Sequence, residues 1–91
     1  MQKMIEWSIE KNLWLLKNRK VCFEEVVAAL ESGNLLAKLT HPSQRYAHQY
    51  LYIVYMKEYV YVVPVVEDDK KIFLKTIVPS RLFAKRYLKT K

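Results

Sequence analysis

The sequence is nearly without glycine and cysteine, with one of each in 91 residues. A single glycine excludes phosphate cradles of the G-x-G-x-x-G or Walker type, which need several residues free of Cβ. With Cys22 alone, neither an internal disulfide nor a multi-cysteine metal site can form. His41 and His48 are the only histidines, and no H-E-x-x-H or C-x-x-C pattern accompanies them. No nucleophile elbow is present, and Cys22 stands at a helix start with no base near it in sequence. We therefore expect no metal and no cofactor. The longest uncharged apolar run covers residues 59–66 and is closed by Glu58 and Glu67. It is far shorter than the roughly 20 residues that span a bilayer. The opening MQKMIEW lacks the apolar region of a signal peptide. The expectation is a cytoplasmic protein with no membrane partner.

Acid is also missing, but only from one place. Residues 70–91, KKIFLKTIVPSRLFAKRYLKTK, hold eight Lys or Arg and no Asp or Glu. Residues 1–33 hold five basic and five acidic side chains, and residues 34–69 hold three and four. The net charge of +7 therefore comes from the last segment. Such a run is either a solvated face or a surface for a polyanion, nucleic acid or an acidic protein segment.

What is present suits one folded domain over residues 1–91: 52% of the residues are apolar and 13% aromatic. Residues 5–7 form a short extended candidate before Ser8, a good N-cap. Ile9, Leu13 and Leu16 recur at helical spacing to about Asn18, and Trp14 widens their stripe or packs elsewhere. Phe23, Val26, Val27 and Leu30 form the single apolar face of a second helix, with Glu24 and Glu25 in its first turn and Gly33 just past its end. From residue 35 the period changes to two. Residues 35–40 read as a strand, HPSQRYAHQ as a polar loop, and residues 50–57 and 59–66 as an antiparallel hairpin. Pro64 lacks a donor and predicts a bulge or an edge. Residues 67–70 turn, residues 72–78 form the last strand, and Ser80 caps a final helix to about residue 89. The predicted class is α+β: two N-terminal helices, a four-stranded mainly antiparallel sheet and a C-terminal helix. The helices are expected to cover one face of the sheet and leave the other open for a site.

The residues with chemistry to offer are basic, histidine and tyrosine side chains. Lys75 lies in the last strand and either snorkels to an edge or points into a groove. Arg81 follows the Pro79-Ser80 turn, and both cations at one end of the sheet suit phosphate binding and a developing phosphorane charge. Lys85 and Arg86 extend the basic surface along the last helix. His41, Arg45 and Tyr46 occupy the long loop. There His41 is either a general acid or base or a simple surface residue, and Arg45 and Tyr46 are candidate RNA contacts. Tyr50, Tyr52, Tyr55, Tyr59 and Tyr61 on adjacent strands either form cross-strand pairs or stack unpaired bases.

Several of these motifs together resemble a family. Trp7 ahead of the first helix, Val21-Cys22-Phe23-Glu24-Glu25-Val26, the hairpin, and Ile77-Val78-Pro79-Ser80-Arg81 before a basic helix resemble BrnT-like toxins of type II toxin–antitoxin modules, within the RelE superfamily. Here Cys22 stands where the family has a serine, and HPSQRYAHQ replaces an acidic loop. The resemblance spans essentially the whole chain. It implies a compact α+β fold and a metal-independent ribonuclease that cuts messenger RNA by attack of the ribose 2′-hydroxyl on the adjacent phosphate. It also implies a cognate antitoxin protein, with operator DNA bound only through that complex. Lys75 and Arg81 match basic positions of the family, whereas nothing is carried over to His41, Arg45 or Tyr46. The alternatives from other classes are a non-catalytic RNA- or DNA-binding module and an interaction protein with an acidic partner.

Overall fold

The computed structural model describes residues 3–40 and 48–88. Along the chain come β1 (Met4–Trp7), α1 (Ile9–Arg19), α2 (Phe23–Glu31), β2 (Leu35–Thr40), β3 (Gln49–Met56), β4 (Tyr59–Glu67), β5 (Lys71–Leu74), β6 (Val78–Pro79) and α3 (Arg81–Tyr87). The α+β class is as expected, but the sheet is larger and mixed. Its order is β1-β5-β4-β3-β2, and β6 pairs with β4 beyond the end of β5. Strand β1 lies parallel to β5, while the remaining pairs are antiparallel. Parallel docking lets Ile5 and Trp7 reach the core, where Trp7 stacks on Phe23 at 5.7 Å.

Helix α2 has the local signals that sequence reading requires. The Glu25 carboxylate accepts the Cys22 N–H at 3.0 Å, which is half of a capping box. At the other end Gly33 has φ 80°; its N–H donates to the Leu30 carbonyl and the Asn34 N–H to the Ala29 carbonyl. These two bonds make a Schellman ending, which glycine adopts without Cβ strain. Helix α1 behaves differently. Ile9, Leu13 and Leu16 are 74, 62 and 51% exposed, and only Leu15 is buried. The inward face is set by two polar anchors, three residues before and four residues after that leucine. Asn12 accepts the Phe23 N–H at 2.7 Å and donates to Glu24, and Arg19 donates to the Ile77 carbonyl at 2.7 Å.

The expectation that all helices share one face is also corrected. Helices α1 and α2 cover the face bearing Tyr52, Val54, Val63, Val65 and Leu74. Helix α3 lies on the other face, where Ala84, Phe83 and Leu88 pack against Ile53, Val60 and Val62. The hairpin turn is Lys57-Glu58, both residues with positive φ (53° and 61°) and neither of them glycine. Lys57 helps hold it, donating to the Lys20 carbonyl at 2.6 Å and pairing with Glu25 at 3.2 Å.

The proline signal takes a specific form. Pro64 keeps its register with Leu51 on β3, and its carbonyl accepts the Lys75 N–H at 2.9 Å. In an antiparallel strand the N–H and C=O of one residue face the same neighbour. The donor that Pro64 lacks is therefore missing on the side of β5. There the single last strand expected from residues 72–78 is broken, with residues 75–77 passing out of the ladder between β5 and β6.

The burial of α1 gives a direct check. Leu15→Ala should cost about 2–5 kcal/mol in urea unfolding, whereas Leu13→Ala should stay within about 0.5 kcal/mol of the parent. Equal losses would mean that the outward stripe is packed after all.

Candidate nucleic-acid interface

The basic segment folds as strand, break, two-residue strand and helix, all built around β4. Strand β5 faces Val65 to Glu67, Lys75 bonds to Pro64, β6 faces Tyr61 and Val62, and the Ser80 N–H donates to the Val60 carbonyl. Lys75 and Arg81 therefore follow backbone anchored at two different points of β4. Their attachment points on β4, Pro64 and Val60, are four residues apart, roughly 13 Å along a strand at ~3.3 Å per residue. Ser80 caps α3 as expected, its Oγ accepting the Phe83 N–H at 3.1 Å. This fixes Arg81 as the first helical residue, and Lys85 follows one turn later on the same side. The guanidinium of Arg86 lies 5.8 Å from the Phe83 ring.

Lys75, Arg81, Lys85 and Arg86 are all exposed. Among the described residues none of them pairs with a carboxylate. Two acids bordering the segment are held by other groups. Asp68 accepts the Lys70 and Lys71 N–H groups, which holds its carboxyl below the usual range, and Glu6 lies 3.7 Å from Lys71. Exposed ammonium and guanidinium groups without carboxylate partners are available to bind phosphate oxygens. Beside them, in the strand break, the Thr76 hydroxyl oxygen is buried with no hydrogen-bond partner among the described residues. The candidates His41, Arg45 and Tyr46 lie outside the described residues.

The strand tyrosines turn out to be packing groups. Tyr52 is buried, and Tyr50, Tyr55, Tyr59 and Tyr61 are half-buried against the two cores. Tyr59 and Tyr61 meet edge to face at 5.9 Å.

A second polar cluster was not singled out from the sequence. Glu67 continues the inward phase of Val63 and Val65 and is buried. Its carboxylate receives the Lys3 ammonium at 2.6 Å, the Tyr52 hydroxyl at 2.5 Å and Lys38 at 3.1 Å. Period-two counting through Val63 and Val65 would have found it, but the acid-rich EDD triplet reads as a turn. Burial pushes the Glu67 carboxyl up; the three donors outweigh it, so the group ends below the usual carboxylate range. Burial and the bond to Glu67 push the Tyr52 hydroxyl well up, so it stays protonated and donates. Lys3 and Tyr52 of the cluster also line a cavity of about 600 Å³, together with Ile5, Val27, Leu30 and Ile72. With its one carboxylate bound by two ammonium groups and a hydroxyl, the cluster acts as a clasp joining the residue ahead of β1 to β2, β3 and β4.

No helix among the described residues is long and apolar enough to cross a membrane. Comparison with family models, with characterised proteins and with solved structures finds no match to this chain.

The clasp has a pH signature. The folded Glu67 carboxyl titrates below the ordinary value near 4.5. Its contribution is therefore complete above that pH and is lost as pH falls through the lower folded value. Glu67→Gln should cost about 1–3 kcal/mol at neutral pH, by leaving buried donors poorly answered. Its melting temperature should also fall less steeply than the parent's below about pH 4.5. Parallel acid profiles for the two proteins would show that Glu67 is not held in this way.

Proposed function

We propose that this chain is an RNA-directed toxin of the type II toxin–antitoxin kind, a metal-independent endoribonuclease. The observation that carries the reading is the basic surface itself: an acid-free segment folded into one unit with Lys75, Arg81, Lys85 and Arg86 exposed. The RelE-superfamily resemblance of the Val21–Val26 and Ile77–Arg81 motifs supports the same reading.

In this reaction the ribose 2′-oxygen attacks the adjacent phosphorus and the P–O5′ bond breaks. The products carry a 2′,3′-cyclic phosphate and a 5′-hydroxyl. Negative charge grows on the non-bridging oxygens, and Lys75 and Arg81 are the groups that would meet it. Lys85 and Arg86 would hold flanking phosphates and set the strand's path. His41 is the proposed proton carrier, with Arg45 and Tyr46 as further RNA contacts from the same loop. An acidic antitoxin segment would occupy the same cations and silence them, and operator DNA would be reached only through that complex. Cytoplasmic messenger RNA is the substrate this reading implies.

The test is incubation of the purified protein with a mixed RNA in EDTA, followed by end analysis of the fragments. Cyclic-phosphate ends should appear, and Lys75→Ala/Arg81→Ala should reduce their rate about 100-fold or more. Fragments undiminished in the double variant would move the chemistry elsewhere. Salt-sensitive binding of RNA that stays intact would leave a non-catalytic binding module in place of the enzyme.

A further inference from the structure

Strand β5 presents different residues to its two faces. Ile72 and Leu74 pack into the core beneath α1 and α2, so strand alternation turns Lys71 and Phe73 to the opposite face. Helix α3 covers that opposite face only toward the hairpin, over Ile53, Val60 and Val62. Phe73 belongs to neither core cluster and is 37% exposed. Its cross-strand neighbours are Glu6 on β1 and Val66 on β4. Lys71 lies two residues before it and Lys75 two residues after, both exposed. The ring thus lies outside both core clusters with about a third of its surface open. A π face flanked by cations is what an unpaired base and its phosphates require.

We infer that Phe73 is a stacking platform for an unpaired base of single-stranded RNA, whose phosphates lie on Lys75 and continue toward Arg81. This rests on the RNA-directed reading above and adds a specificity to it, since a duplex hides the base faces that the ring would meet. The charges around the ring give the strand a direction. Glu6, beside Phe73 on the β1 side, repels phosphate and is only partly answered by Lys71 at 3.7 Å. On the other side, residues 70–91 contribute no acid at all. The backbone is therefore steered from Phe73 along the strand break to α3 rather than outward across β1. The strand tyrosines do not compete for this role, because they pack against the cores.

The test is fluorescence anisotropy with a labelled 2′-O-methylated single-stranded oligoribonucleotide, which resists cleavage, and with a duplex of the same sequence. Binding of the parent, Phe73→Leu, Phe73→Trp and Lys75→Ala is compared over a range of salt. Phe73→Leu should weaken single-strand binding roughly tenfold with an unchanged salt slope, while Phe73→Trp keeps the parent's affinity. Neither substitution should alter duplex binding, and Lys75→Ala should lower the salt slope by about one phosphate. Matching circular dichroism and melting temperatures would establish that Phe73→Leu is folded. If Phe73→Leu binds single strands as the parent does while Lys75→Ala binds them less tightly, stacking is overturned and the RNA reading survives. Equal losses on single strand and duplex overturn stacking as well. A parent protein that binds neither RNA at low salt overturns both.

Discussion

The arrangement of the basic end depends on a proline placed inside the sheet. Pro64 lies in β4, between β3 and the β5–β6 side, and it cannot supply the N–H that a continuous neighbour would accept. The neighbouring chain answers by leaving the ladder for residues 75–77 and returning as β6. That detour leaves Lys75 at the edge of a gap instead of within a regular strand. It also lets the chain turn at Pro79 and Ser80 and lay α3 on the face opposite α1 and α2. One missing hydrogen-bond donor thus shapes both the site and the layer that flanks it.

The acids of the molecule are distributed so that this end stays cationic. Glu67 is enclosed by Lys3, Lys38 and Tyr52, Glu25 pairs with Lys57, and Glu24 is bound to Asn12, which holds its carboxyl low. Each of these carboxylates fixes a junction between elements. Isolated surface pairs of this kind contribute little individually. None of these junction carboxylates pairs with Lys75, Arg81, Lys85 or Arg86. The positive field of the last quarter follows from its composition, and the ion pairs of the rest of the molecule do not reach into it.

How much of this was readable in advance differs from element to element. Helix α2 and the β3–β4 hairpin were legible because their signals are local: a 3.6 period, a glycine ending, and two period-two runs separated by two residues. Pro64 suggested a bulge or an edge of its own strand, whereas β4 is interior and unbulged and the interruption falls in the neighbouring chain. Helix α1 misled, because Asn12 and Arg19 chose its inward face through bonds to α2 and Ile77, which apolar spacing does not register. The parallel placement of β1 and the side taken by α3 are long-range choices, and a four-residue strand carries too little pattern to announce either. In the candidate site, the exposure of Arg81, Lys85 and Arg86 followed from charge, whereas Lys75 in a strand left an edge and a groove both open. The separate attachment of Lys75 and Arg81 to β4 was not legible, because it follows from the break opposite Pro64.

The clasp on Glu67 also bears on the order in which the chain assembles. Lys3 and Glu67 are 64 residues apart in sequence, and β1 can pair with β5 only after everything between them has been brought together. The β3–β4 hairpin closes through a two-residue turn, an event of microseconds, whereas closing so long a loop waits until the loss of chain entropy is repaid by contacts already made. The N-terminal strand is accordingly the last to dock and, by the same accounting, the first to leave. Brief openings of β1 would uncouple Lys3 from its carboxylate while β2, β3 and β4 stay paired. Such an opening would also strip β5 of its outer neighbour and part Glu6 from Lys71, so the first strand of the basic segment would feel it directly.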